Sequence, residues 1–299
     1  MELMREGPCW NLDYSTLAAT TMTNTTQVHG HRGCDDAVPA NTIPAFLLAA
    51  ATGCQWLEMD VVITGDDHVL VSHEAWIDHH TCRDPEGRAL SEEEGRAINI
   101  FELPLLEVQR FGCVPAHRAE EHAPPWAGWH KPTLAEVVIA VGASSAERKA
   151  SAPSFNIEIK SEPLIYGTFQ PPPERFAELV LRDVIALGIT DRCLVQSFDI
   201  AILEAMHALA PDLPLALLVE NADGVESNLR RLSFTPRYYS PAYSIANARM
   251  AGELREKGIG LLVWTVNDMA DMCRMLDLEV DGLITDKPRE AMALIASRQ

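Results

Sequence analysis

The 299-residue chain is short of positive charge: 24 Lys and Arg stand against 43 Asp and Glu, a formal net charge of −19. A nucleic-acid backbone is bound by neutralising its phosphates, so this balance excludes a polyanion-binding role and disfavours docking on anionic membranes. Any phosphate must therefore be held locally. No stretch approaches the roughly 18 consecutive apolar residues of a membrane span, so no stable membrane insertion is expected. The first 26 residues form an N-terminal extension with neither a signal-like apolar run nor a small-residue cleavage pattern. The seven cysteines (Cys9, Cys34, Cys54, Cys82, Cys113, Cys193, Cys273) contain no CxxC pair, and their odd number cannot all pair within the chain. A reduced, cytoplasmic setting is the expectation. Internal repeats and low-complexity tracts are missing too.

What remains is ordinary globular material, 47% apolar and 22% charged. Eight short segments of strand character recur along it: 27–30, 54–63, 155–160, 193–198, 213–220, 237–241, 260–267 and 281–286. Periodic helical segments lie between several of them, at Arg175 to Leu187, Ile200 to Leu209, Ala246 to Lys257 and Met269 to Leu276. Alternating strand and helix reads as an α/β protein with a parallel sheet. Eight repeats predict a closed (β/α)8 TIM barrel over residues 27–299, for which about 250 residues is typical. One interval is oversized. Residues 68–73 read as an extra strand in a hairpin turned at Gly65, Asp66 and Asp67. An insertion after the second strand is expected at about 74–130, before a second helix in 131–142.

Barrel enzymes of this kind place their chemistry at the carboxyl ends of the strands. There the first strand runs into His31, Arg32 and Gly33, the second carries Glu58 and Asp60, the hairpin ends at His73, and the third carries Glu158 and Lys160. Residues two apart on a strand share a face, so Glu58 with Asp60, and Glu158 with Lys160, point the same way. Carboxylates inside apolar strands are costly unless paired or bound to a cation. Three of them without a cysteine nearby suit one hard divalent ion, Mg2+ or Ca2+. His29 shares the alternation of His31 but is assigned to the core. His79, His80 and Cys82 have metal-like spacing, yet they fall in the insertion without a fourth ligand and are left out of the site.

The motifs HRG (31–33), PANTIPAF (39–46), LEMD (57–60), VSHE (71–74), NIEIK (156–160), QSFD (196–199), VWTVND (263–268) and DGLITDKP (281–288) occur in that order. Together they resemble the glycerophosphodiester phosphodiesterase family, within the phosphatidylinositol phospholipase C-like phosphodiesterase superfamily, over residues 27 to 290. The resemblance implies metal ligands Glu58, Asp60 and Glu158, acid/base histidines His31 and His73, and phosphate contacts from Arg32 and Lys160. It also implies an apolar wall for the glycerol carbons at Trp264, assisted by Phe198. The family usually carries Glu where this chain has Ala40, a change expected to affect the support of the first loop more than the chemistry.

The implied activity is metal-dependent hydrolysis of a small glycerophosphodiester to glycerol 3-phosphate and an alcohol. A lysophospholipase D, with Trp126 and Trp129 forming an interfacial lip, is the second enzyme reading. A noncatalytic phosphometabolite-binding module is the third, and Ala40 is its only support. The alcohol headgroup and the oligomeric state are left open by the sequence.

Overall fold

A computed structural model describes residues 26–33, 38–114 and 129–298. In chain order its main elements begin with β1 (Gln27–Gly30), α1 (Ile43–Thr52), β2 (Trp56–Ile63) and β3 (Val69–Val71). The next stretch holds β4 (Cys82–Arg83), α2 (Glu92–Arg96), α3 (Leu105–Val108) and β5 (Gly112–Cys113). After it come α4 (Leu134–Glu147), β6 (Ser154–Ile159), α5 (Pro173–Ala186), β7 (Cys193–Ser197), α6 (Ile200–Leu209) and β8 (Leu215–Val219). The chain finishes with α7 (Val225–Leu229), β9 (Tyr238–Pro241), α8 (Ala248–Glu256), β10 (Gly260–Val263), α9 (Met269–Asp277), β11 (Gly282–Thr285) and α10 (Pro288–Ser297).

Eight of the strands, β1, β2 and β6 to β11, pair in parallel, and β1 closes the ring by pairing with both β2 and β11. This is a (β/α)8 barrel. The alternation on β2 shows how the sequence builds it. Leu57, Met59, Val61 and Ile63 join the large apolar cluster that packs the strands against the helices. The intervening Trp56 joins Leu194, Ala216, Leu262 and Tyr238 in a separate small cluster. Glu58 and Asp60 share the Trp56 parity, so they face the barrel interior above that apolar floor.

The hairpin forms as antiparallel pairing of Val61–Ile63 with Val69–Val71, with Asp67 in the left-handed region at φ 64°. Its strand is shorter than the sequence suggests. Ser72 instead donates its N–H to the Asp60 carbonyl at 3.0 Å, and His73 follows as loop. Beyond it, β4 and β5 make a two-stranded antiparallel ribbon. A second, smaller core of Ala75, Ile77, Cys82, Leu90, Ile100 and Val108 packs this part of the chain against Val62 and Leu70. The chain then enters α4 through a capping box in which Thr133 and Glu136 satisfy each other's backbone N–H groups. Among the described residues no helix is long and apolar enough to cross a membrane.

Candidate active site

The strand ends at one mouth of the barrel bring the acidic residues together. One carboxylate oxygen from each of Glu58, Asp60 and Glu158 lies within 4.8 Å of the others, and all three residues are buried. β2 and β6 are in register with Asp60 opposite Glu158. Adjacent strands therefore set the cluster without help from flexible loops. His79, His80 and Cys82 do not join such a group among the described residues. The two imidazoles lie with centroids 3.8 Å apart and planes tilted by 38°, and Cys82 faces Cys113 across the β4–β5 ribbon.

Cations surround the acids. Arg32 Nε lies 2.9 Å from Asp60 Oδ2, and the Arg32 backbone N–H donates to Glu58 Oε2 at 3.0 Å. Arg32 reaches this position in a left-handed conformation, φ 51°, and Gly33 follows at φ 92°. A Cβ on Gly33 would lie 2.6 Å from the Ala45 carbonyl carbon, so only glycine fits there. Lys160 Nζ donates to Glu158 Oε1 at 2.8 Å and lies 3.9 Å from Asp60 Oδ1.

The two histidines are each held by a carboxylate through Nδ1: His31 by Asp286 Oδ1 at 2.6 Å, and His73 by Glu74 Oε1 at 2.6 Å. Nε2 is thus the nitrogen left to each ring for a reacting group. Burial works against a charged His31, but the Asp286 hydrogen bond and the Glu58 carboxylate outweigh it and raise its pKa above the ordinary value. His29 lies on the barrel's inside without such a partner. It stacks on Trp56 at 5.1 Å, and burial pushes its pKa down to about 3. That is a core histidine.

Burial, reinforced by Asp60, raises the pKa of Glu58. Asp60 is pulled below the carboxylate range because Arg32 and Lys160 overcome its burial. Glu158 is raised by burial and by Asp60, against the opposing pull of Lys160. Three carboxylates against two fixed cations leave a formal −1 when all are ionised, and the elevated Glu58 and Glu158 register a want of further positive charge. Asp60 Oδ1 is fully buried without a hydrogen-bond donor among the described residues. An all-oxygen cradle with one such orphaned lone pair fits a hard divalent cation.

Phe198 and Trp264 meet edge to face at 5.4 Å beside this centre, with Lys160 Nζ 6.0 Å from the Phe198 ring. Trp264 is fixed by its indole N–H on the Ser240 carbonyl at 2.8 Å. A cleft of about 310 Å³ opens alongside, lined by His73, Trp76, Glu158, Lys160, Phe198 and Glu220. A larger depression of about 630 Å³ between α7 and α8 is lined by none of these residues. Trp129 is described but Trp126 lies outside the described residues.

Five supporting residues carry no role in the sequence reading, although each sits in or beside a motif. Asp286 orients His31, and Asn267 donates to its other oxygen at 2.5 Å. Glu74 holds His73. Gln196 donates to Glu58 Oε1 at 3.1 Å, and Asn41, next to the unusual Ala40, donates to Asp60 Oδ2 at 2.8 Å. Each is only a polar residue in or beside a motif, and its role shows only through the partner the fold brings to it.

A buried anionic cradle beside two imidazoles and two fixed cations suits a substrate that is itself anionic and needs proton transfer on two sides, which is the requirement of phosphodiester hydrolysis. The comparison with known proteins places the chain in that class. Residues 31–290 match the glycerophosphoryl diester phosphodiesterase family, and the chain belongs to it. A glycerophosphodiester phosphodiesterase from Caldanaerobacter subterraneus subsp. tengcongensis is 28% identical over 270 residues, covering 90% of this chain and 98% of the relative. A crystal structure of a glycerophosphoryl diester phosphodiesterase from Silicibacter pomeroyi matches with a TM-score of 0.76 at 26% identity, covering 92% of this chain and 94% of that one. An Oleispira antarctica phosphodiesterase, solved in complex with the product sn-glycerol-3-phosphate, shares the fold at a TM-score of 0.72 and 20% identity, covering 91% of this chain and 97% of its own.

Proposed function

We propose that this chain is a metal-dependent hydrolase that cuts glycerophosphodiesters to glycerol 3-phosphate and an alcohol. The observation that carries the reading is the convergence of Glu58, Asp60 and Glu158 within 4.8 Å, flanked by Arg32 and Lys160. The three carboxylates would hold one divalent ion, Mg2+ or Ca2+, which when bound supplies Lewis-acid neutralisation of the phosphate. Arg32 and Lys160 would contact the phosphate oxygens and orient the ester towards the two imidazoles. His31 takes a proton at Nε2 from the water that attacks phosphorus, and Asp286 stabilises the imidazolium that forms. His73 gives a proton to the departing alcohol, because it lines the open cleft through which that alcohol leaves. Trp264 and Phe198 form the apolar wall for the glycerol carbons. The insertion enters this mouth through Glu74, Ala75 and Trp76, which line the cleft, and it influences which alcohol is accepted; residues 115–128 of the expected segment 74–130 lie outside the described residues. The product recorded in the Oleispira complex supports the same assignment for this chain.

A metal-replete assay across glycerophosphodiesters, with lysophosphatidylcholine beside glycerophosphocholine, tests the proposal. Turnover of glycerophosphocholine at least tenfold above lysophosphatidylcholine is expected. The reverse preference would favour the lysophospholipase D reading, and tight binding without turnover of any member would favour the noncatalytic one.

A further inference from the structure

Cys82 and Cys113 take no part in the chemistry above, yet the fold sets them side by side. They are register partners at the antiparallel crossing of β4 and β5. The Cys82 N–H donates to the Asp78 carbonyl and the Cys113 N–H to the Trp129 carbonyl, so the two residues exchange no backbone bond. The flanking bond runs instead from the Val114 N–H to the Thr81 carbonyl at 2.8 Å. That pattern defines a non-hydrogen-bonded pair, the narrow kind, whose Cα atoms lie about 4.5 Å apart with side chains on one face. Disulfides span Cα separations of about 4.4–6.8 Å, so this pair can close with little backbone movement. Both thiols are free and buried.

The surroundings favour one thiolate. The Cys113 thiol donates to the Cys82 sulfur and lowers its pKa, burial opposes this, and the Lys131 ammonium assists; Cys113 is correspondingly raised. Lys131 is 93% buried by its 7% exposure, and its Nζ donates to Ser72 Oγ at 2.9 Å. Among the described residues no carboxylate lies within 4.0 Å of it, unlike Lys160 with its two acids. Ser72 in turn donates to the Glu74 carbonyl at 2.7 Å, and Glu74 is the residue that holds His73. A chain of hydrogen bonds therefore runs from Lys131, the cation whose charge acts on the thiol pair, through Ser72 and Glu74 to the proposed acid.

We propose that Cys82 and Cys113 form a reversible oxidation site for peroxides, and that closing the disulfide lowers activity through Lys131 and Ser72. The Cys82 thiolate attacks one peroxide oxygen, the O–O bond breaks, and hydroxide leaves, giving a sulfenic acid. The Cys113 sulfur then displaces its hydroxyl as water. Two thiols and one hydrogen peroxide thus yield one disulfide and two waters. The β4–β5 ribbon has only two residues in each strand, so local opening admits so small an oxidant. Closure removes the negative charge that attracts Lys131, leaving a buried ammonium that must re-aim and take Ser72 and Glu74 with it.

The test treats the purified full chain with hydrogen peroxide, blocks residual thiols by alkylation after denaturation, and maps the peptides. The expected result is a Cys82–Cys113 bridge, a fall of at least fivefold in kcat on a glycerophosphodiester, and recovery of both with dithiothreitol. In Cys113→Ser, a sulfenic-acid trap should label Cys82, and no bridge between positions 82 and 113 should be recovered. Recovery of both cysteines as alkylated thiols after oxidation of the wild-type chain would overturn the site, and this readout depends on neither the variant folding nor the assigned activity. A mapped bridge with unchanged kcat would overturn the coupling to His73.

Discussion

Asp286→Asn probes the arrangement at a residue that touches neither the acidic cluster nor the phosphate contacts. It removes the charge that faces His31 Nδ1 at 2.6 Å while keeping shape and the Asn267 neighbour. Both side chains are less than one-third exposed, at 17% and 30%, so solvent screening takes little away. A hydrogen bond to a charged group contributes about 1.5–3 kcal/mol, and the variant should lose stability of that order while His31 is protonated. The pH dependence has a definite sign. His31 binds its proton more tightly in the folded chain, so the wild-type advantage is complete below the ordinary histidine range and fades as pH rises through the elevated folded-state pKa. Urea unfolding at about pH 5.5 and about pH 9 should show a large gap between wild type and variant at the lower pH and a small one at the higher. Catalysis should fall about 10²-fold in kcat, the lower end of what a positioned proton carrier contributes. The limb of the kcat/KM profile that belongs to His31 should move to lower pH, because burial then acts unopposed by Asp286. A variant with kcat within twofold of wild type and an unmoved limb would show that Asp286 does not hold His31 for catalysis.

Further outcomes follow from the same geometry. Addition of Mg2+ or Ca2+ at about 100 times Kd should stabilise the chelator-treated wild type by about 2.7 kcal/mol in thermal or urea unfolding. Glu58→Gln, Asp60→Asn and Glu158→Gln should each lose most of that gain along with most activity, and an equal gain in all four proteins would remove the ion from this cluster. His73→Ala should lower kcat by about 10²-fold or more, and a substrate with a very good leaving group should rescue it far more than His31→Ala. Equal rescue would undo the assignment of acid and base. Phe46→Ala, at a fully buried position in the contact between α1 and the barrel, should cost about 3–5 kcal/mol in urea unfolding without changing KM. A cost below about 1 kcal/mol would mean that α1 is not packed as described.

The repetitive part of this fold was legible because buried parallel strands write themselves as short β-branched runs, and each of the eight forms. Arg237 to Pro241 yields β9 over Tyr238–Pro241, with the proline, which has no N–H to give, at the strand's last position. The ribbon of β4 and β5 was not legible. Two residues per strand carry no period, and their pairing joins positions 82 and 113 across an intervening stretch that holds α2 and α3. In the site, Glu58, Asp60, Glu158 and Lys160 announced themselves as charges inside apolar strands. Asp286 and Gln196 did not, because they matter only through partners 255 and 138 residues away, brought near by closing the barrel between β1 and β11 and by the interior of β7.

The most direct measurement follows glycerophosphocholine by phosphorus NMR after exhaustive chelator dialysis, before and after a divalent ion is restored. The substrate signal should persist without the ion and be replaced by glycerol 3-phosphate once Mg2+ or Ca2+ is added, and Glu158→Gln should leave it unchanged under both conditions. Full turnover by the ion-free protein, or choline phosphate in place of glycerol 3-phosphate, would contradict the proposed function.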